Sequence, residues 1–317
     1  MSSKLYIKIC LLLCFMIMCG CDVVCPDGIG YDYENFRKTP AWRLAQAVDE
    51  GDTFTIDRIL QKDESLIDYQ EPYHKMSLLM MTIYNQRRAT FPYTLFCDNK
   101  YSGLSVDESQ WRSFCYLLKK GASVELADEN GSSPLMLACG GSGNDIRFAE
   151  KLIENGADVN AVCPDEFLEE GTSSSALMSA AWNFEGMKFV KLLVEHGAEI
   201  NYIDKKNNSA LRLSMHNNKY DIALYLLEHG ADFKVPISMV CNHDASMPSD
   251  SSYLGLVEEL RYGMYPLDSK EYEAKMRVVD FLKNKGVDYR HYSIPVEVVK
   301  SAKLEYPDTW REYLEKY

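Results

Sequence analysis

Long apolar runs are missing from this chain of 317 residues. The uninterrupted run Ile9 to Cys19 has eleven residues, and a membrane-crossing helix needs about 20. Glycine and proline are not enriched, at 18 and 11 residues, so no long disordered tract is expected. Positive charge is in short supply: 34 Lys and Arg face 47 Asp and Glu, a net charge of −13. Such a field repels phosphate backbones and anionic headgroups, which disfavours nucleic acid as a partner. Catalytic signatures are also missing. No His-Glu-x-x-His and no Gly-x-Ser-x-Gly occurs, which leaves no zinc-hydrolase or esterase motif. Gly140-Gly141-Ser142-Gly143 lacks the Lys-Ser/Thr of a phosphate loop and reads as a helix–helix turn. No catalytic residue, metal ligand, cofactor or small-molecule substrate is expected, and the chain does not read as an enzyme. An enzyme with an unrecognised site would rest on no constellation of residues.

What is present is repetition. One phrase recurs at the ends of expected helices: Lys120-Gly121-Ala122, Asn155-Gly156-Ala157-Asp158, His196-Gly197-Ala198-Glu199, His229-Gly230-Ala231-Asp232 and Lys285-Gly286-Val287-Asp288. Its glycines lie 35, 41, 33 and 56 residues apart. The spacing of 33 is the bare unit and the rest are the unit plus insertions. Within the unit from Ser209 to Ala231, Ala210-Leu211-Arg212-Leu213 opens one helix and Ile222-Ala223-x-Tyr225-Leu226-Leu227 forms the apolar stripe of a second. Gly230 then terminates it with a positive φ. The openings Ser133-Pro134-Leu135 and Ser175-Ala176-Leu177 repeat the order. His196 and His229 hold the same repeat position, which makes them repeat residues rather than chemical ones.

These phrases resemble the ankyrin repeat, with its Thr-Pro-Leu-His opening, two antiparallel helices, Gly-Ala phrase and β-hairpin finger. Asp128 and Gly131 stand where that family places its finger Asp and Gly, and Asp204 and Asn207 do so in another finger. Asn is the best substitute for Gly in a left-handed turn. The family histidine is replaced by Met136, Met178 and Arg212, so its hydrogen bond to the hairpin is expected to be missing. The resemblance implies an all-α fold: a helix-pair solenoid with β-hairpin fingers, an ankyrin-repeat array of about six divergent units. The array is expected over 42–294, with insertions at 87–107, 164–171 and 262–273, and capping helices over 295–317.

The first twenty residues differ from the rest. Lys4 and Lys8 precede the apolar run and no acid appears before Asp22, the pattern of a secretory signal. Met18-Cys19-Gly20-Cys21 resembles a bacterial lipobox, which implies a lipoprotein signal over 1–20 and lipidation of Cys21. An uncleaved anchor and an ordinary cleaved signal are the other readings. By the resemblance to enterobacterial lipoproteins, Asp22 would favour the inner membrane, on its periplasmic face. Residues 21–41 would form a tether. Its stretch Asp22 to Thr39, at about 3.4 Å per extended residue, would reach at most roughly 60 Å. Loss of residues 1–20 removes two lysines and no acid, leaving −15.

Six of the ten cysteines lie beyond Cys21 and allow fifteen full pairings. Cys25, Cys97, Cys163 and Cys241 fall in expected loops and suit bridging in an oxidising compartment. Cys115 and Cys139 fall on expected helices and suit burial.

The ankyrin resemblance implies protein binding through finger tips and first helices. That points to Asp128, Glu129 and Asn130, to Asp204, Lys205 and Lys206, and to Trp182, Asn183, Phe184, Met215 and His216. Trp182 and Phe184 either face a partner or fold back on the neighbouring repeat. Phe91, Tyr93, Phe96 and Tyr101 crowd the insertion 87–107, either packing on the array or meeting a partner. An acidic array favours a basic protein partner. Some lipoproteins protecting bacteria against secreted lipases resemble this combination in outline. That resemblance implies an immunity protein occluding a phospholipase-type toxin of a type VI secretion system. A scaffold or stress-related adaptor of the envelope is the alternative.

Overall fold

A computed structural model of the chain describes residues 32–90, 108–141, 145–164, 174–234 and 254–317. The fold is all-α, with fourteen α-helices and no strand among the described residues. The chain divides into two compact units, with the boundary between Ala198 and Glu199.

The first unit is built from helix pairs: α1 (Trp42–Glu50) with α2 (Thr53–Leu60), α3 (Leu78–Thr90) with α4 (Glu108–Lys119), α5 (Pro134–Gly140) with α6 (Ile146–Glu154), and α7 (Ala176–Trp182) with α8 (Met187–Glu195). First helices pack in series, α1 on α3, α3 on α5 and α5 on α7. Among second helices, α2 packs on α4 and α6 on α8. The core therefore runs as successive layers, each held by its neighbours. Aromatic rings fill one such layer: the Phe114 and Phe148 centroids lie 4.6 Å apart, and Trp111 meets Phe148 edge-on at 5.0 Å.

Starts and stops follow the sequence. Ser77, Ser133 and Ser175 each cap a first helix by accepting the N–H three residues on, the favoured N-cap geometry. Pro134 opens α5, where its missing N–H costs nothing. Gly156 and Gly197 follow α6 and α8 with φ of 89° and 82°. After Gly197, Ala198 N–H donates to Leu193 O at 2.9 Å, closing the turn as a Schellman cap does. His196 Nδ1 lies 2.8 Å from Leu192 O, so this repeat histidine helps finish its helix. Gly186, between α7 and α8, has a different reason: a Cβ there would fall 1.8 Å from Ala180 O.

Three expectations change. The expected tether 21–41 is not all tether. Tyr33–Phe36 forms a 3-10 turn, Tyr33 and Phe36 are buried, and the Tyr33 hydroxyl donates to Gln110 Oε1 at 2.8 Å. Two aromatics in four residues gain more from covering the end of the core than from hydration. The fingers are turns rather than β-hairpins: only isolated bridges, Gln70 with Ser77 and Val162 with Ser175, occur among the described residues. The expected insertions are also partly helical, since α3 runs on to Thr90 and α12 begins at Lys270.

The second unit pairs α9 (Ala210–His216) with α10 (Tyr220–Glu228). Next come α11 (Leu254–Tyr262) and α12 (Lys270–Asn284), with α11 on α9 and α12 on α10. Gly230, with φ 96°, closes α10, and Ala231 N–H donates to Leu226 O at 2.9 Å. The closing helices α13 (Val296–Glu305) and α14 (Trp310–Lys316) pack on one another around Val298, Ala302, Tyr313 and Tyr317. Tyr317 reaches back: its hydroxyl donates to Arg261 O and to Gly263 O. Beneath its ring lies Lys275, with Nζ 3.5 Å from the centroid and a hydrogen bond to Gly263 O at 3.1 Å. The lysine is fully buried. Burial first, then the neighbouring Arg261, pushes its ammonium down to about 6.

Candidate protein-binding surface

The fingers of the first unit form a row because each is bonded to the next. In the second finger Asp128 is buried, and its Oδ1 accepts the N–H groups of Asn130 and Ser132 at 2.9 and 2.8 Å. Gly131, with φ 75°, turns the chain. Burial drives the Asp128 carboxyl up to about 6, and the two backbone N–H bonds oppose that rise. The first finger uses a longer side chain for a longer loop. Glu71 is buried, and its carboxylate accepts the N–H groups of Tyr73, His74 and Met76 at 2.9, 2.7 and 3.1 Å. Lys75 takes the left-handed position at φ 55°.

The two fingers are tied through His74 and Glu129. Glu129 N–H donates to His74 O at 2.8 Å, and His74 Nδ1 lies 2.6 Å from Glu129 Oε1. The second finger is tied to the third by Cys163, whose buried thiol donates to Asn130 O at 3.0 Å. Cys163 is thus a packed hydrogen-bonding thiol, not the bridging loop cysteine that its position suggested. Cys139 is buried as expected, and Cys115 is partly buried. A ladder also joins repeats below the fingers: Asp158 N–H donates to Glu125 Oε1 at 2.8 Å, and Asn160 Nδ2 to Gly197 O at 3.1 Å. Sequence reasoning missed Glu71, Asn160 and Asn201. The signal was there for the two asparagines, since both stand four residues after a repeat glycine.

What this row exposes differs from what was expected. Tyr73 is 49% and Val162 46% accessible, and neither was singled out. At the end of α7, Phe184 is 65% accessible and Trp182 partly buried. Asn183 between them is a correction. Only 2% of it is accessible, and its amide donates to Cys139 O and Gly141 O at 2.9 and 2.8 Å. It joins α7 to the end of α5 and presents nothing outward. Asp128 is a second correction, because its carboxylate is consumed inside its turn. Glu129 and Asn130 stay at the partly accessible tip.

In the second unit, Asp204 repeats the Asp128 design and is likewise corrected. It is buried, and Oδ1 accepts the N–H groups of Lys206 and Asn208 at 2.8 and 2.7 Å. Asn207 turns the chain at φ 59°, as its type suggested. Lys205 and Lys206 are exposed. Met215 is buried in the core, a further correction, since an apolar side chain at an inward position of α9 packs rather than faces solvent. His216 is exposed 3.7 Å from the Glu259 carboxylate, which raises its pKa. Arg212 corrects another expectation. It is buried, and its Nη1 donates to Lys206 O, Asn207 O and Asn208 Oδ1 at 3.4, 3.2 and 3.0 Å. The bond to the finger that the family histidine would supply is therefore made by the longer arginine. Asn201 carries the ladder here, accepting from Asp232 N–H at 2.7 Å and donating to Gly230 O at 3.1 Å.

Cys21, Phe91, Tyr93, Phe96 and Tyr101 lie outside the described residues, as do Cys25, Cys97, Cys241, the region 1–20 and most of 164–171. Among the described residues, no helix is long and apolar enough to cross a membrane, and no group of three His, Cys, Asp or Glu is placed to hold a metal ion.

The family model for ankyrin repeats matches residues 105–204 and 163–237, in three copies. A comparison with curated proteins returns no match. Ankyrin repeats indicate a protein–protein interaction module and are typically scaffolds without catalysis. Ser-capped first helices, left-handed glycines, bonded fingers and the family match agree, and the chain carries ankyrin repeats within an all-α array of helix pairs.

Proposed function

We propose that this chain is a membrane-tethered binding module of the bacterial envelope that acts by covering a functional site on a partner protein. The observation that carries the reading is Phe184. Its ring is 65% accessible at the end of α7, while Asn183 beside it is pinned by two buried hydrogen bonds. A large apolar side chain on a rigid support loses little entropy on binding and has the character of an interface hot spot. Tyr73 and Val162 supply further apolar contact on the fingers of the same unit. A tether at Cys21 would act at short range, since the packing of Tyr33 and Phe36 leaves residues 22–31, at most roughly 34 Å of chain. The most concrete form is immunity against a secreted phospholipase-type toxin, whose active site such a surface would occlude.

The test is affinity capture of the full chain from detergent-solubilised envelopes, with Phe184→Ala in parallel and mass spectrometry of what is held. A toxin captured by the parent and lost roughly tenfold or more by the variant supports occlusion, the change expected when a hot-spot aromatic is truncated. Capture of envelope housekeeping proteins alone sinks the immunity form and favours the scaffold. Cell fractionation of Cys21→Ser checks the tether: release into soluble extracts is expected, and continued retention overturns the lipid anchor.

A further inference from the structure

On the second helices of the first unit, the N-terminus of α2 and one face of α4 line an open groove of about 400 Å³. Its wall is Thr53, Trp111, Cys115 and Tyr116, and two cations, Arg112 and Lys119, line it. Positions 111, 112, 115, 116 and 119 fall on one side of a helix, so this is a coherent stripe of α4.

The two cations of the groove stay outside the ion pairs around it, although Lys119 Nζ lies 5.9 Å over the Tyr116 ring of the same wall. Lys120 pairs with Asp57, Arg147 with Asp145 at 2.7 Å, and Lys151 with Glu154 at 2.7 Å. Arg112 and Lys119 are exposed and make no ion pair among the described residues. The acid lining the groove, Glu108, leans toward Arg147 at 3.8 Å. A chain of net charge −13 therefore keeps beside an aromatic wall two cations that no ion pair among the described residues uses. Repulsion from the distant acids is screened beyond about 8–10 Å in physiological salt, so an occupant of the groove feels mainly Arg112 and Lys119.

Trp111 is held from behind. Its ring contacts Phe114 at 5.7 Å and Phe148 at 5.0 Å, and the Arg147 guanidinium sits 4.7 Å over it. The wall is thus preformed. Its volume lies at the small end of ligand pockets, room for one or two apolar side chains rather than a whole cofactor. Two cations are too few to hold a nucleic acid or an anionic bilayer, whose many charges extend beyond the groove and come within screening range of the acidic residues elsewhere on the chain.

We infer that the α2–α4 groove docks an acidic peptide segment of a partner protein, with an aliphatic or aromatic side chain against Trp111 and Tyr116 and flanking carboxylates on Arg112 and Lys119. This rests on the protein-binding character of the repeats and on neither the lipid tether nor the immunity role. Its lining residues do not include Phe184.

The experiment uses the full chain and three fluorescein-labelled peptides of twelve residues. One carries a central Leu-x-x-Phe flanked by Asp and Glu. The second has the acids changed to Asn and Gln, and the third has Leu and Phe changed to Ser. Cys115 is the reporter, since it lies in the groove wall and its alkylation can be read by mass spectrometry. Binding of the first peptide alone, with slowed alkylation of Cys115, is the expected result. Arg112→Glu with Lys119→Glu should weaken it roughly tenfold or more, and the Gln pair by less, as for two exposed charge contacts. Both sites are exposed, so both variants should fold.

Equal binding of the neutral peptide, unchanged affinity in the charge-reversal variant, or no effect on Cys115 overturns the proposal. So does a Cys115 already shielded in the free chain, which would mean a second copy or the chain itself covers the groove. Displacement of the peptide by RNA or by phosphatidylglycerol vesicles would overturn it in favour of a different ligand class. Loss of partner capture by Phe184→Ala with peptide binding intact would support the groove as a site independent of the Phe184 surface.

Discussion

Replacing Lys275 by Met should stabilise the second unit, although Lys275 touches three neighbours. The ammonium is fully buried and its pKa falls from 10.5 to about 6. Between those values the unfolded chain holds a proton that the folded chain does not, so stability rises with pH across the window. At about 1.36 kcal/mol per unit, keeping Lys275 at pH 7 costs up to about 5 kcal/mol relative to a group with no shift. At pH 7 the folded lysine is the neutral amine, so the Tyr317 and Tyr289 rings, 3.5 and 5.5 Å from Nζ, offer it packing that methionine keeps and no cation–π attraction. The hydrogen bond to Gly263 O returns about 1 kcal/mol. Its loss leaves Gly263 O with a share of the one Tyr317 hydroxyl proton, 3.2 Å away and divided with Arg261 O, a further cost of about 1 kcal/mol. Methionine nearly conserves the volume. The net expectation is a gain of about 3 kcal/mol at pH 7. That gain should shrink by about 1.4 kcal/mol for each pH unit up to 9, as the lysine cost falls away. Urea unfolding of parent and variant at pH 7, 8 and 9 measures it, with hydrogen exchange in α12 and α14 as a local reading. Burial raises the pKa values of Tyr289, Tyr313 and Tyr317, so these groups ionise only at higher pH and stay outside the window. A variant less stable than the parent at pH 7, or a difference independent of pH, would refute the reasoning.

Asn183→Ala should cost about 2–3 kcal/mol by leaving Cys139 O and Gly141 O without their amide donor; Phe184→Ala should cost under about 0.5 kcal/mol, and chemical denaturation of the two separates a support from a surface. Arg212→Met should cost about 1.5–3 kcal/mol and speed hydrogen exchange at residues 204–208, whose carbonyls Arg212 now holds; unchanged exchange there would show that the finger is held by Asp204 alone.

Much of the fold was legible because its demands are local. A helix that ends in a left-handed turn selects glycine, and five such glycines mark the units. A first helix that needs an N-cap selects serine, and Ser77, Ser133, Ser175 and Ser209 stand at the caps. The finger acids were legible by position but misread in role. Asp128 and Asp204 look like surface charges in a polar loop, yet a tight turn needs an internal acceptor for its N–H groups and takes the carboxylate for that. Glu71 escaped notice because its loop is one residue longer, and only the folded turn shows that the extra methylene makes up the reach.

The sequence alone determined the repeat: its period, its helix stops, its capping residues and its acidic charge, because each depends on neighbours a few residues away. Tertiary structure alone decided which polar side chains turn inward. Asn183 reaches a carbonyl 44 residues back, and Tyr317 closes over Arg261 from 56 residues on. It also decided that Phe184 stays outside while Met215 does not. Such burial follows from which layer lies against which, and the spacing of residues along one helix carries no record of that.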